Sequence, residues 1–139
     1  MMIHSAVWPL ALLLLAASPD VGDPSPAAFL GTWQGTSTCV DLKVAPACHD
    51  EVVVYDVVRA EKAGSLTVKA DKVVDGKRLP MGDLEFTYSP PPDACWRSDA
   101  KSARFHSVWC LKVQGDRASG TLRRFEDNAV IRVIELKRK

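Results

Sequence analysis

The stretch "APACHDEVVVY", residues 45–55, sets a cysteine, a histidine and two carboxylates side by side at Cys48 to Glu51, directly before an apolar run. Thiolates, imidazoles and carboxylates bind zinc, and the same groups act as nucleophiles and proton carriers in enzymes. Both uses require side chains that converge, whereas neighbours along a strand point to opposite faces. We therefore expect no metal site and no catalytic centre here, and we predict that His49 to Glu51 form a solvated strand entrance.

The N-terminal part of the sequence predicts that the protein is exported. Residues 6–17 form an apolar run followed by small residues, with the length of a secretory signal rather than of a membrane-spanning helix. We expect residues 1–18 to be a signal peptide, and the mature chain to be periplasmic or secreted with no membrane span. Residues 19–28 are proline-rich and predict a flexible lead-in, so that residues 29–139 form a single domain.

The chain has four cysteines, and an even number in an exported protein indicates disulfides. Three pairings are possible, and the spacing favours Cys39 with Cys48 and Cys95 with Cys110. Thiols held in disulfides cannot ligate zinc, which weakens the metal interpretation further.

If Cys95 lies directly opposite Cys110 in a hairpin, the turn is centred between Ser102 and Ala103. The same register places Trp96 opposite Trp109 on the inner face.

Eight segments of strand length follow one another, separated by turn residues. They are predicted at 32–38, 51–59, 65–73, 82–89, 94–98, 104–113, 118–125 and 130–137. No long segment has the period of an amphipathic helix, and short connections favour antiparallel neighbours. Because closing the sheet removes its edges, the sequence predicts an all-β, up-and-down antiparallel barrel of about eight strands, with a β-sandwich as the alternative.

An eight-stranded barrel is just wide enough to be filled by its own side chains or to hold one small ligand. Alternation along the strands predicts aromatic side chains that point inward and are candidate ligand contacts. They are Trp33, Tyr55, Phe86, Tyr88, Trp96, Phe105 and Trp109. A ligand pocket and a filled core both remain open on this basis.

Composition excludes several other functions. The net charge is +1 and both signs are scattered along the chain, so no basic stripe indicates nucleic acid as a partner. No nucleophile elbow, metal signature or phosphate loop appears. We therefore expect a protein that is not an enzyme and that needs no cofactor.

The segment "FLGTWQG" carries a Gly-x-Trp pattern from Gly31 to Trp33. It resembles the opening motif of the lipocalin and calycin barrels. "GTWQGTSTC", "PACHDEVVVY" and "KADKVVDGKRLPMGDLEF" resemble small exported bacterial proteins described as uncharacterised or lipocalin-like. The resemblance implies that Trp33 packs across a closed barrel end under an arginine from the last strand. Arg138 fits that position better than Arg132, which lies in mid-strand.

The resemblance implies no established activity, and two hypotheses of function follow. The first is an exported binding module for a small apolar or amphipathic ligand. The second is a disulfide-stapled interaction or inhibitor module of the cell envelope with a filled core, acting on a protein partner through the loops "VDLKVAPACHD" and "SPPPDACWRSD".

Overall fold

The computed structural model describes residues 22–139, and the predicted signal peptide at residues 1–18 lies outside this range. One short helix precedes eight strands. The elements are α1 (Pro26–Phe29), β1 (Gly31–Cys39), β2 (Glu51–Arg59), β3 (Ser65–Val74), β4 (Lys77–Ser89), β5 (Cys95–Lys101), β6 (His106–Gln114), β7 (Arg117–Arg124) and β8 (Val130–Arg138). Each strand pairs antiparallel with the next, and β1 pairs with β8. The predicted up-and-down barrel is confirmed, and the sandwich alternative was wrong.

The strand β4 begins at Lys77, earlier than the predicted start at Gly82. The predicted long loop around Gly76 contracts to a two-residue turn in which Asp75 and Gly76 have φ of 51° and 75°. Such a left-handed pair is the standard connection of a tight hairpin. Pairing with β3 shifts between Ala70 and Asp71, where β4 has one extra residue, Met81.

Four aromatic side chains fill one end of the barrel, which we call the closed end: Phe29, Trp33, Phe86 and Trp96. None of them is more than 1% exposed. The Phe29 ring lies at the centre of the group, with its centroid 5.8 to 6.1 Å from the centroids of the other three rings. Edge-on and tilted contacts of this kind are favourable between aromatic rings.

Residues 22–28, which belong to the predicted lead-in, are hydrogen bonded to the closed end at Gly22 and Asp23. The Asp23 N–H donates to the Val113 carbonyl over 2.8 Å, and the Asp23 carbonyl accepts the Trp96 indole N–H over 3.3 Å. Pro26 begins α1, where its missing N–H costs no hydrogen bond. This proline-rich segment therefore leads directly into Phe29, which is buried in the core.

Both predicted disulfides are confirmed. Cys39–Cys48 closes the loop between β1 and β2, and Cys95–Cys110 joins β5 to β6. Bonds of this type are typical of proteins in an oxidising environment.

The register of β5 on β6 differs from the predicted one by two residues. Trp96 pairs with Leu111 rather than with Trp109, and Cys110 pairs with Arg97, so the disulfide joins diagonal positions. Because side chains alternate with a period of two, this shift keeps the paired side chains of β5 and β6 on their predicted faces and moves them along the barrel axis. Trp96 therefore lies in the closed end, on a different level from Trp109.

The loop between β5 and β6 causes this shift. The prediction centred the turn between Ser102 and Ala103, whereas the loop spans residues 102–105 and is closed by the Ser102 N–H, which donates to the Phe105 carbonyl over 2.7 Å. Phe105 consequently lies outside the barrel with 41% of its surface exposed. The prediction that Phe105 points inward was wrong.

Candidate functional site

A cavity of about 350 Å³ occupies the half of the barrel away from the closed end, and all eight strands contribute to its walls. Its lining residues are Ser37, Glu51, Tyr55, Ala70, Met81, Gly82, Asp83, Leu84, Ala100, Ser107, Trp109, Leu122 and Arg132. Met81 and Asp83 are exposed, so the cavity communicates with solvent at this end. The barrel is therefore filled in one half and hollow in the other.

One wall of the cavity is polar and is formed by β8, β1 and β2. Ser37 lies opposite Glu51 in the β1–β2 ladder, which brings both inward-facing side chains to one level. The Arg132 Nη1 donates to the Ser37 hydroxyl over 3.2 Å and to its carbonyl over 3.3 Å. It also lies 3.7 Å from the Glu51 Oε2. We call Ser37, Glu51 and Arg132 the polar cluster.

Tyr55 lies next to the polar cluster on β2 and is almost completely buried. Burial raises the pKa of its phenol above the ordinary value, and the Glu51 carboxylate raises that pKa further. The Arg132 guanidinium lowers the pKa of Tyr55 in part. At neutral pH the phenol is therefore protonated and acts as a neutral hydrogen-bonding group.

The other walls are mostly apolar, and their residues come from β3 to β7, with the largest number on β4. Trp109 is the largest side chain among them, and Ala70 and Leu122 contribute smaller surfaces. The Ser107 hydroxyl donates to the Ala100 carbonyl over 3.4 Å, which occupies one of the few polar groups on this side. The cavity thus combines a polar wall with a larger apolar surface.

The structure divides the predicted ligand contacts into three groups. Tyr55 and Trp109 line the cavity. The inward-facing residues Trp33, Phe86, Tyr88 and Trp96 belong to or pack against the core of the closed end instead. Phe105 lies outside the barrel. The sequence did not indicate the small residues of the lining, because an alanine or serine inside a barrel has no distinctive pattern.

The two arginines considered for the closed end have separate positions. The Arg138 guanidinium carbon lies 4.3 Å from the Trp33 ring centroid, and its nitrogens donate to the carbonyls of Leu30, over 2.6 Å, and Ala28. The Trp33 indole N–H donates to the Phe29 carbonyl over 2.9 Å. Arg138 therefore connects the last strand to the closed end, whereas Arg132 belongs to the cavity.

The sequence cluster at Cys48 to Glu51 is dispersed in the structure. Cys48 is in a disulfide, His49 is exposed, and the Asp50 carboxylate accepts the Cys39 N–H over 2.8 Å. Only Glu51 lines the cavity. Among residues 22–139, no group of three or more His, Cys, Asp or Glu side chains is arranged to hold a metal ion.

The turn between β7 and β8 stands at the cavity end and is held by an ion pair. The Arg124 guanidinium donates to both carboxylate oxygens of Asp127, over 2.9 and 2.5 Å, and the Ala129 N–H donates to the same carboxylate over 3.2 Å. The Arg124 hydrogen bonds, with a smaller effect of the Ala129 N–H, lower the pKa of Asp127 to about 2.

We expect an NMR titration to show Asp127 with a pKa of about 2. Because this folded-state pKa is depressed, the ion pair stabilises the turn fully above the unfolded pKa of about 3.9, and its contribution is lost as the pH falls through the folded-state value. Arg124→Gln should return the pKa of Asp127 toward the unfolded value. A wild-type Asp127 that already titrates near that value would contradict the observed hydrogen bonds.

The fold and the site together define a β-barrel that is closed at one end and holds a cavity at the other. No protein-family model matches the chain, and no curated protein matches it at a significant level. In the described part of the chain, none of the helices has the length and apolar character needed to cross a bilayer.

Proposed function

We propose that this protein is an exported, lipocalin-like binding module for a small amphipathic ligand. The observation that carries the proposal is the cavity of about 350 Å³ with its polar cluster on one wall and Trp109 on the apolar surface. Binding sites for small molecules are commonly apolar cavities with a few convergent polar groups. The polar part of the ligand would contact Arg132, and its apolar part would pack on Trp109 and Leu122.

The chemistry of the polar cluster supports binding rather than catalysis. The Arg132 guanidinium is already hydrogen bonded to Ser37 and lies close to Glu51. The raised pKa of Tyr55 makes its phenolate, the form that could act as a nucleophile or base, scarce at neutral pH. These groups are suited to orient a ligand by hydrogen bonds without forming a covalent bond to it.

Export is part of the proposal and agrees with the two disulfides. The signal peptide predicted at residues 1–18 would deliver the chain to the periplasm or the outside of the cell. The test is the N-terminal sequence of the protein recovered from its native compartment. A cytoplasmic protein that retains residues 1–18 would refute this part of the proposal.

Titration with the fluorescent dye 1-anilinonaphthalene-8-sulfonate tests the binding function, because this dye combines an anionic group with apolar rings. We expect saturable binding by the wild type. Trp109→Ala should weaken that binding by about tenfold or more, since losing about 1.5 to 3 kcal/mol of apolar contact changes a dissociation constant by one to two orders of magnitude.

Two further variants make the titration specific. Phe125→Ala removes an aromatic ring of the cavity end that is 56% exposed and does not line the cavity, so its dye affinity should equal that of the wild type. Arg132→Met should weaken binding of the anionic dye more than binding of a neutral dye such as Nile red. Each variant is compared only after thermal unfolding shows that it is folded. Unchanged affinity in Trp109→Ala, or no saturable binding by the wild type, would refute the proposed function.

The exposed apolar residues of the cavity end favour a second candidate, a protein-interaction or inhibitor module of the cell envelope. Val40 and Leu42, in the loop closed by Cys39–Cys48, are 53% and 59% exposed. The two loops predicted to act together lie at opposite ends of the barrel, because the β4–β5 loop is at the closed end. A partner would therefore contact residues 40–50 alone, and a pull-down from envelope extract with Leu42→Ser as the control tests this candidate.

A further inference from the structure

The barrel wall is incompletely hydrogen bonded at one place, between β4 and β5. These two strands share three residue pairs, Thr87 with Arg97, Tyr88 with Trp96 and Ser89 with Cys95. The other seven ladders formed by the described residues contain six to ten pairs each. All three β4–β5 pairs lie at the closed end, so the two strands separate beside the cavity. We call this unpaired part of the wall the seam.

Electrostatic repulsion gives one physical reason for the seam. Continuing the observed register would place Glu85 directly opposite Asp99 on the outer face. Two carboxylates at directly opposed positions destabilise a strand pair. The Arg97 side chain does not bridge them in the structure, because it pairs with Asp99 on its own strand over 3.0 Å and with Asp93 over 3.4 Å.

The course of β4 gives a second reason. Pro80 has no N–H to donate, and Gly82 has a φ of 128°, so the strand cannot continue regularly through this region. Arg78 holds the beginning of β4 to the strands on its own side of the seam, through 2.6 and 2.7 Å contacts with Asp56 of β2 and Asp71 of β3. The first half of β4 therefore belongs to the β2–β3 side of the barrel and leaves β5 unpaired on that edge.

Space is found on both sides of the seam. Leu84 and Ala100 line the internal cavity. Their neighbours Glu85 and Asp99 line a groove on the outer surface, together with Thr87 and Arg97. Leu84 is only half-buried although it points inward, unlike Phe86 on the same strand and face. Only the thickness of the two unpaired strand edges thus separates the cavity from the outside.

The seam lies across the barrel from the polar cluster. Arg132 and Ser37 are on the adjacent strands β8 and β1, and in the closed ring three further strands lie on each side between that pair and the seam. A ligand whose polar group contacts Arg132 would therefore direct its opposite end toward Leu84 and Ala100, whose side chains are apolar.

We propose that the seam is a lateral opening of the cavity. The apolar tail of an elongated amphipathic ligand enters through this opening, and it projects from the opening while the polar group of the ligand is held by Arg132. This inference rests on the proposed binding function and adds the shape of the ligand and its route. Separation of the two unpaired strand edges requires no loss of ladder hydrogen bonds, whereas separation elsewhere in the wall would break six or more residue pairs.

Hydrogen exchange measured by NMR tests the opening without any ligand. The amides of Glu85 and Asp99, which point toward the seam, should exchange about a hundredfold or more faster than that of Leu122, whose strand is paired on both sides. Equal protection of the seam amides and of Leu122 would show that the seam is closed in solution and would overturn the inference.

Covalent blocking of the seam tests the passage of ligand. All four native cysteines are in disulfides, so a cysteine introduced on the surface is the single reactive thiol. Glu85→Cys places that thiol at the seam, and Glu135→Cys is the matched control on the outer face of β8, a strand paired on both sides. Each variant is coupled to a polyethylene-glycol maleimide, and binding of 1-anilinonaphthalene-8-sulfonate is followed by stopped-flow fluorescence.

We expect the association rate constant of the dye to fall by about tenfold in the coupled Glu85→Cys protein and to stay at the wild-type value in the coupled Glu135→Cys protein. Equal rates in the two coupled proteins would overturn the lateral route and leave the binding function intact. Absence of dye binding by the wild type is a different result, which would overturn the proposed function and this inference together.

Discussion

Replacement of Phe29 by alanine is expected to lower the free energy of unfolding by about 3 to 5 kcal/mol, the usual cost of removing a fully buried phenylalanine. Phe29 is 0% exposed, and its ring contacts those of Trp33, Phe86 and Trp96. The cavity left behind cannot close easily, because the three surrounding rings project from strands that are held by the barrel. Urea denaturation followed by tryptophan fluorescence measures the change.

Phe125→Ala is the matched control for this substitution. It deletes the same ring at an exposed position, where the expected loss is about 0.5 kcal/mol or less. Similar stability losses for the two variants would mean that residues 22–29 do not seal the barrel. Residues 22–28 would then be interpreted as the flexible linker that their prolines predict.

Removal of the Cys95–Cys110 bond by a Cys95→Ala/Cys110→Ala double substitution should cost about 3 kcal/mol, the chain-entropy value for a loop of this size. The position makes this bond more important than its loop length suggests. On its β4 side β5 has only three residue pairs, so its attachment to the barrel depends mainly on β6. Loss of the disulfide should therefore also accelerate hydrogen exchange in β5.

The second disulfide provides the comparison. Cys39→Ala/Cys48→Ala opens a loop at the cavity end, and its stability loss should be smaller with exchange in β5 unchanged. Denaturant unfolding of both double variants, combined with exchange at Ser98 and Ala100, distinguishes the two bonds. Faster exchange of β5 in the Cys39→Ala/Cys48→Ala variant alone would contradict the role assigned to Cys95–Cys110.

Much of the architecture followed from local patterns. The β2 bounds agree with those predicted, and both disulfide pairs are present. Alternation of apolar and polar residues depends only on the period of two along a strand, and disulfide partners at short separations leave few alternatives. Local patterns were less informative at residues 22–28 and at Lys77, where turn-forming residues are part of packed or paired segments, and at Phe105, which the β5–β6 loop places outside the barrel.

The candidate site was less accessible to prediction. Arg132 was considered only as a possible partner of Trp33, and Glu51 only as part of a solvated entrance, whereas both line the cavity. Their proximity arises from strands far apart in sequence, and closing the barrel brings those strands together. No pattern within a single strand contains that information.

The sequence by itself determined that this chain forms a barrel of eight antiparallel strands, which of their side chains face inward apart from Phe105, and which cysteines pair, because each of these depends on local periodicity and spacing. Only the tertiary structure decided where along the axis each inward side chain lies. A shift of two residues between β5 and β6 changes no face, yet it places Trp96 in the closed end and leaves Trp109 in the cavity. The closed end, the polar cluster and the seam all depend on register between strands, which is set by loop length and by the packing of the whole barrel.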